Sequence, residues 1–211
     1  MAPEHLLLHA QRLQAIAQAG LTYAANSYDL ERYEEIRGIS AKLLQELTDE
    51  PYEKILRVFA SETGYQTPTV DVRGVVFRDG NEILMVQEKI DGNKWTLPGG
   101  WADVGYTPFE VAVKEVEEET GLVVKPVRLL GLFDKRKHRH PPQPWYVYKI
   151  FIQCECAGGS LVEDTSETAG ARWFKQADLS GIELSTDRIT AVQLESMFEF
   201  AKNPDLLALC D

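Results

Sequence analysis

Residues 99–122, "GGWADVGYTPFEVAVKEVEEETGL", decide how the rest of the chain is read. Thr107, Pro108 and Glu110 open a helix: threonine at the N-cap, proline in the first turn, and a glutamate that completes a T-x-x-E capping box. Gly121 closes it at the C′ position. At about 100° per residue, Phe109, Ala112, Val113 and Val116 form an apolar stripe. Glu115, Glu118 and Glu119 fall together on a neighbouring face, with Glu117 turned away. Carboxylates at these spacings repel by roughly a few tenths of a kcal/mol per pair. They also sit at the negative end of the helix dipole. Lys114 is the one cation nearby, and the spacing reading does not count it as a partner for them. The plain alternative is a solvated acidic face. A hard divalent cation, Mg²⁺ or Mn²⁺, would remove every one of these penalties through oxygen ligation.

Outward from this helix the period changes. Upstream, "TVDVRGVVFRDGNEILMVQE" alternates as a hairpin turned at Asp79-Gly80. Downstream, "LVVKPVRLLGLFD", "PWYVYKIFIQCEC" and "GARWFKQADL" read as strands, and residues 187–201 (Arg188, Val192, Leu194, Met197, Phe198) as a terminal helix. Strands and helices in this order predict an α/β fold, a mixed sheet between helices. The first 60 or so residues are helical instead, with segments at 4–19, from Ser27 to Leu47, and from Pro51 through Ile55, Leu56 and Phe59. Three short helices bury little alone, so they are expected to pack on the rest or on a second subunit. The division expected is a helical segment at 1–62 and a larger domain at 66–211, joined through "TGYQTPT".

Composition narrows the function. A formal net charge of -11 over 211 residues argues against bulk electrostatic binding to nucleic acid or anionic membranes. An acidic protein that handles phosphates calls for a metal ion. The N-terminal "MAPEHLLLHAQRLQ" lacks the features of a signal peptide and no stretch is long enough to span a membrane, so a cytoplasmic location is expected. Cys154 and Cys156 share one face of a strand and read as small buried apolar residues.

The opening stretch resembles the Nudix box, G-x5-E-x7-R-E-U-x-E-E-x-G-U with U aliphatic. Counted from Gly100, seven of the nine fixed positions agree; Tyr106 stands for the first glutamate and Lys114 for the arginine. The resemblance implies a Nudix-type α/β/α sandwich preceded by a small all-helical segment. It also implies a metal-dependent hydrolase of a nucleoside diphosphate linked to another moiety. Glu115, Glu118 and Glu119 would then hold Mg²⁺ or Mn²⁺, with Gly100 beside them. The general base would be Glu167, chosen from the "LVEDTSETAGARWF" loop ahead of Glu163 and Asp164, or else Glu115 or Glu118. The helical N-terminus and "FDKRKHRHPPQPWYVYKIF" resemble a subgroup with ADP-ribose and CDP-choline pyrophosphatases, which implies a homodimer joined through the N-terminal helices. A nucleotide-metabolite sensor without hydrolysis and an RNA 5′-end pyrophosphohydrolase are the alternatives.

"KRKHRH" (135–140) is the one strongly basic run in the chain. It is either a solvated loop tip or a contact to the terminal phosphate or the linked moiety, with Lys135, Arg136, Lys137 and His138 as candidates. Trp95, Trp101 and Trp145 flank these segments; each is either packing or a surface for a nucleobase, and Trp101 is the expected substrate contact.

Overall fold

The computed structural model describes residues 3–211. It divides into two compact units: residues up to Pro68 together with Pro142–Tyr146, and Thr69–Pro141 together with Val147–Asp211. The first unit is three helices, α1 (Pro3–Tyr23), α2 (Ser27–Leu47) and α3 (Tyr52–Ser61). Asn26 caps α2 by accepting the Asp29 N–H at 2.8 Å. Leu7 and Ala10 of α1, Ala41 and Leu44 of α2, and Ile55 and Phe59 of α3 make its core. Gln11 of α1 donates to the carbonyls of Gln143 and Trp145, which ties the 142–146 segment to these helices.

The second unit is built on β1 (Thr69–Arg78), β2 (Glu82–Glu88), β3 (Lys94–Thr96), β4 (Gly99–Trp101), α4 (Pro108–Thr120), β5 (Leu122–Asp134), β6 (Val147–Gly159), β7 (Thr168–Lys175), α5 (Ala191–Lys202) and β8 (Leu209–Cys210). The strands run in the order β3-β2-β1-β6-β5-β8, with β4 also on β1 and β7 also on β2. The β1–β6 and β5–β8 pairs are parallel and the others antiparallel, so the sheet is mixed. The β1–β2 hairpin turns at Asp79-Gly80, closed by the Asn81 N–H on the Arg78 carbonyl.

Two-residue alternation sends the strand side chains into two cores. Val72 and Val76 of β1 and Leu84 and Val86 of β2 pack with Val111, Ala112 and Val116 of α4. Val75, Ile83 and Met85 pack with Leu194, Met197 and Phe198 of α5 on the other side. The second unit is therefore the expected α/β/α sandwich. Gly74 sets the approach of α4 to the sheet: a Cβ there would fall 2.4 Å from a Val116 methyl.

Three local expectations change. The terminal helix starts at Ala191, not 187, because Thr190 and Gln193 form its capping box; Arg188 stays in the loop before it. On α4, Val111 is buried and Phe109 is exposed, since the helix is rotated to turn Glu115 and Glu119 inward beside the apolar stripe. Cys154 is buried but Cys156 is exposed, because the last five residues of β6 run past the covering elements.

Candidate active site

The motif helix forms as its punctuation predicts. Thr107 and Glu110 exchange both capping-box hydrogen bonds, and Gly121 takes the left-handed conformation at φ 76°. The short strand ahead of it is locked to β1. Gly99 has φ 145°, and a Cβ there would strike the Val72 carbonyl at 2.1 Å, so glycine is required. Its N–H donates to Glu119 Oε2 at 3.0 Å. Gly100, next along, lies against the Glu115 carboxylate: a Cβ there would be 3.2 Å from Glu115 Oε2. Two glycines thus shape a cradle for two inward glutamates.

The three motif glutamates are not equivalent. Glu115 and Glu119 are buried, whereas the Glu118 side chain is 61% exposed on the shoulder of the helix. Burial raises Glu119 to about 8; Arg73 pulls against this, and Glu88 and Glu115 add to it. Burial also raises Glu115 and Glu88 above the usual carboxylate range. Buried carboxylates raised in this way mark a place where a cation would be strongly favoured. Among the described residues, no three His, Cys, Asp or Glu side chains converge at metal-ligand distances. The donor chemistry fits a hard divalent ion all the same: crowded oxygens, two of them packed on side-chain-free backbone at Gly99 and Gly100.

Lys114 corrects the sequence reading. It stands at i, i+4 to Glu118 and pairs with it at 3.3 Å, with Glu115 at 3.2 Å and with Asp103 at 3.6 Å. The hydrogen bond to Glu115 leads the effects that raise the lysine above its ordinary value.

Strand β2 adds a residue that the motif does not contain. The pairing of β2 with β7 shifts register between Val86 and Glu88, and such irregularities re-aim side chains. Glu88 turns inward, pairs with Arg188 Nε at 3.1 Å, and is among the charges that act on Glu119. Glu167 lies on the loop before β7; its charge acts on both Glu88 and Glu115, which places it beside the acidic cluster. Of its loop neighbours, Asp164 is engaged by Lys89 at 2.8 Å.

Behind the acids lies a buried ion row. In the parallel β1–β6 register Asp71 faces Lys149. Arg73 grips Asp71 through two bonds, at 2.7 and 3.1 Å, and donates to the Leu97 carbonyl; the Lys149 ammonium bonds the same carboxylate. Burial alone would raise Asp71, but Arg73 and Lys149 hold it well below the carboxylate range. Burial draws Lys149 downward against that pull.

The basic run splits. Lys135 turns inside, where burial lowers it to about 8, with Asp187, Asp71, Arg73 and Arg188 around it. Arg136 folds back on Asp134 at 3.2 Å, Lys137 is exposed, and His138 pairs with Asp211 at 2.9 Å. His140 is half-buried, with Nδ1 2.6 Å from the Thr186 carbonyl. Of the tryptophans, Trp95 is core, edge-on to Phe174 at 4.6 Å, and Trp145 belongs to the helical unit. Trp101 is 54% exposed on β4, one residue from Gly100. Asp71, Arg73, Glu88 and Lys149 escaped the sequence reading. Their only signal was a charge inside an otherwise apolar strand.

Known families and structures match the chain along most of its length. The NUDIX domain matches residues 67–194, and the UDP-X-like N-terminal oligomerisation domain matches residues 4–59. The chain belongs to the Nudix family. A Bacillus subtilis protein named "Putative ADP-ribose pyrophosphatase" is 44% identical over 205 residues, covering 97% of this chain and 96% of its own. The crystal structure of a UDP-X diphosphatase superposes with a TM-score of 0.62 at 32% identity over 100% of both chains. That of an ADP-ribose pyrophosphatase from Streptococcus suis gives 0.61 at 36% identity, over 69% of this chain and 100% of that one. This Nudix protein is an enzyme, a hydrolase.

Proposed function

We propose that this Nudix enzyme cleaves the diphosphate of ADP-ribose or a related conjugate, such as CDP-choline or a UDP-linked compound, and releases a nucleoside monophosphate. The observation that carries the reading is the pair of buried glutamates, Glu115 and Glu119, packed on Gly99 and Gly100, both raised by burial. Glu115, Glu118 and Glu119, with Gly100, would hold Mg²⁺ or Mn²⁺. When bound, the metal supplies charge neutralisation of the diphosphate and polarises it toward attack.

The protein's own groups do the rest. Glu167, on a loop beside Glu88 and Glu115, accepts the proton of the attacking water. Glu118 and Glu115 are the other carboxylates able to take that proton. Arg73, anchored on Asp71 and the Leu97 carbonyl, offsets the charge of Glu119 and Glu88. Arg136, Lys137 and His138 face the distal phosphate or the linked moiety, and Trp101 offers an exposed ring to the base. Residues 66–211 form the hydrolase domain in this reading, and residues 1–62 an assembly segment.

The working form is a homodimer joined through the N-terminal helices. In support, the matching domain is described as an oligomerisation domain. Within the helical unit, a groove of about 510 Å³ is lined by Ile16, Tyr23, Tyr33 and Tyr65, and Ile16, Tyr23 and Tyr65 stand exposed there. Ile16→Glu is expected to yield monomers by light scattering; an unchanged mass removes this surface from the assembly. The unpaired cysteines and the absence, among the described residues, of a helix able to cross a membrane fit a cytoplasmic enzyme.

The deciding experiment supplies Mg²⁺ or Mn²⁺ and assays ADP-ribose, CDP-choline, UDP-linked sugars and 5′-capped RNA for monophosphate release. Turnover of a small conjugate above RNA is expected. Preference for RNA, or no turnover of any of them, would defeat the proposal.

A further inference from the structure

The ammonium of Lys114 sits where a metal ion would act on Glu115 and Glu118. It lies 3.2 Å from Glu115 Oε1, 3.3 Å from Glu118 Oε2 and 3.6 Å from Asp103 Oδ2. The first two oxygens belong to the carboxylates read above as metal ligands. The third lies outside α4, on the loop between β4 and the helix. We propose that Lys114 is a tethered counter-ion that competes with the divalent metal for Glu115 and Glu118, and that Asp103 receives its ammonium when the metal binds. This rests on the reading of those glutamates as ligands.

The chemistry is one of exclusion. An ammonium has three donors and no acceptor, so it satisfies a carboxylate but cannot share in coordinating a cation. Two cations within hydrogen-bonding reach of the same oxygens repel strongly where one carboxylate is buried. One of them must leave, and the tether decides where it goes. Lys114 is 32% exposed at its side chain and Asp103 61%, so the ammonium passes to Asp103 through solvent with little desolvation. A lysine suits this movement better than the arginine of the family pattern. Its charge is compact and rides on four flexible carbons, whereas a guanidinium fork holds two oxygens in a fixed plane. The exchange also accounts for a helix that tolerates Glu115, Glu118 and Glu119 together: in the metal-free protein one lysine bridges two of them and the third bonds the Gly99 N–H.

The sign of one measurement separates this role from simple positioning. Mn²⁺ binding to the full chain is followed by loss of the free Mn²⁺ paramagnetic resonance signal, without substrate. Lys114→Gln is expected to tighten Mn²⁺ binding by roughly fivefold or more, and to lower the melting temperature of the metal-free protein. Asp103→Asn is expected to weaken binding by roughly threefold in the parent chain, but to have no effect in the Lys114→Gln background. If Lys114→Gln binds Mn²⁺ equally or more weakly, the lysine merely orients the glutamates and the proposal is overturned. If Asp103→Asn acts alike in both backgrounds, the receiving role of Asp103 is overturned. Failure of every variant and of the parent chain to bind Mn²⁺ defeats the metal reading itself, which is distinguishable from parent binding with no response at Lys114.

Discussion

The acidic face of α4 and the ion row of β1 and β6 lie in the same unit and are coupled through Arg73, yet charge serves opposite ends in them. In the row, Asp71 has both its oxygens taken by Arg73 and shares one with Lys149, so the one buried carboxylate is fully paired within the protein. On α4, Glu119 has one backbone N–H and the charge of the Arg73 guanidinium, and burial still raises it to about 8. The row is complete as folded. The face is left short of positive charge, and such a shortfall is what a functional site carries and a structural one avoids.

Two substitutions press on that contrast. Glu119→Gln keeps an oxygen for the Gly99 N–H and removes a carboxyl that the fold already holds neutral near pH 7. Turnover is expected to fall by about a thousandfold or more, while metal-free stability stays level or rises. A loss of stability with turnover intact would make Glu119 a structural residue. Asp71→Asn acts the other way. It leaves Arg73 and Lys149 buried without a full counter-charge, at a cost of about 3–5 kcal/mol, measured by denaturant unfolding. A loss below about 1 kcal/mol would show that water or another group already balances the row.

These two clusters also divide what the sequence reveals from what it hides. The α4 glutamates lie within five residues of one another on an element of fixed period, so their shared face follows from counting. The same counting places Lys114 four residues before Glu118, the spacing at which the two pair in the fold. Asp71 and Lys149 are 78 residues apart, and only the parallel β1–β6 register brings them together. Glu88 depends on a register shift against β7, and Lys135 on a tight 3-10 turn after β5 that drives the first residue of "KRKHRH" inward. Local period carries no information about any of the three. The rotation of α4 that exposes Phe109 was hidden for a related reason: an apolar-stripe count assumes that carboxylates face water, and here two of them do not.

The edge of the basic region gives a pH test. The Thr186 carbonyl can only accept, so the Nδ1 of His140 carries the hydrogen, and its Nε2 is buried without a partner among the described residues. Burial, with Lys149, Lys135 and His138 nearby, lowers His140 to about 3, against the hydrogen bond to Thr186. The unfolded chain therefore takes up this proton near pH 6.5 and the folded chain only near 3, so stability is full above the first value and falls as pH drops between them. The loss is roughly 1–2 kcal/mol at pH 5, after allowance for the half-exposed ring. His140→Gln is expected to flatten that part of the profile; an unchanged slope assigns the acid sensitivity to other groups.

The smallest effect is expected where the chain departs most visibly from its family. Tyr106 stands in place of a glutamate, but its side chain is half exposed at 51%. The cation such a glutamate would meet, Lys114, is already held by Asp103, Glu115 and Glu118. Restoring the family residue with Tyr106→Glu adds a solvent-screened charge to a lysine that has three carboxylate partners. Turnover at saturating Mn²⁺ is expected to change by less than about threefold, with the metal concentration at half-maximal rate shifting no further. A tenfold gain would mean that the missing carboxylate limits the reaction and that Asp103 does not substitute for it. The deficit on α4 would then lie in the lead-in loop as well as in the helix.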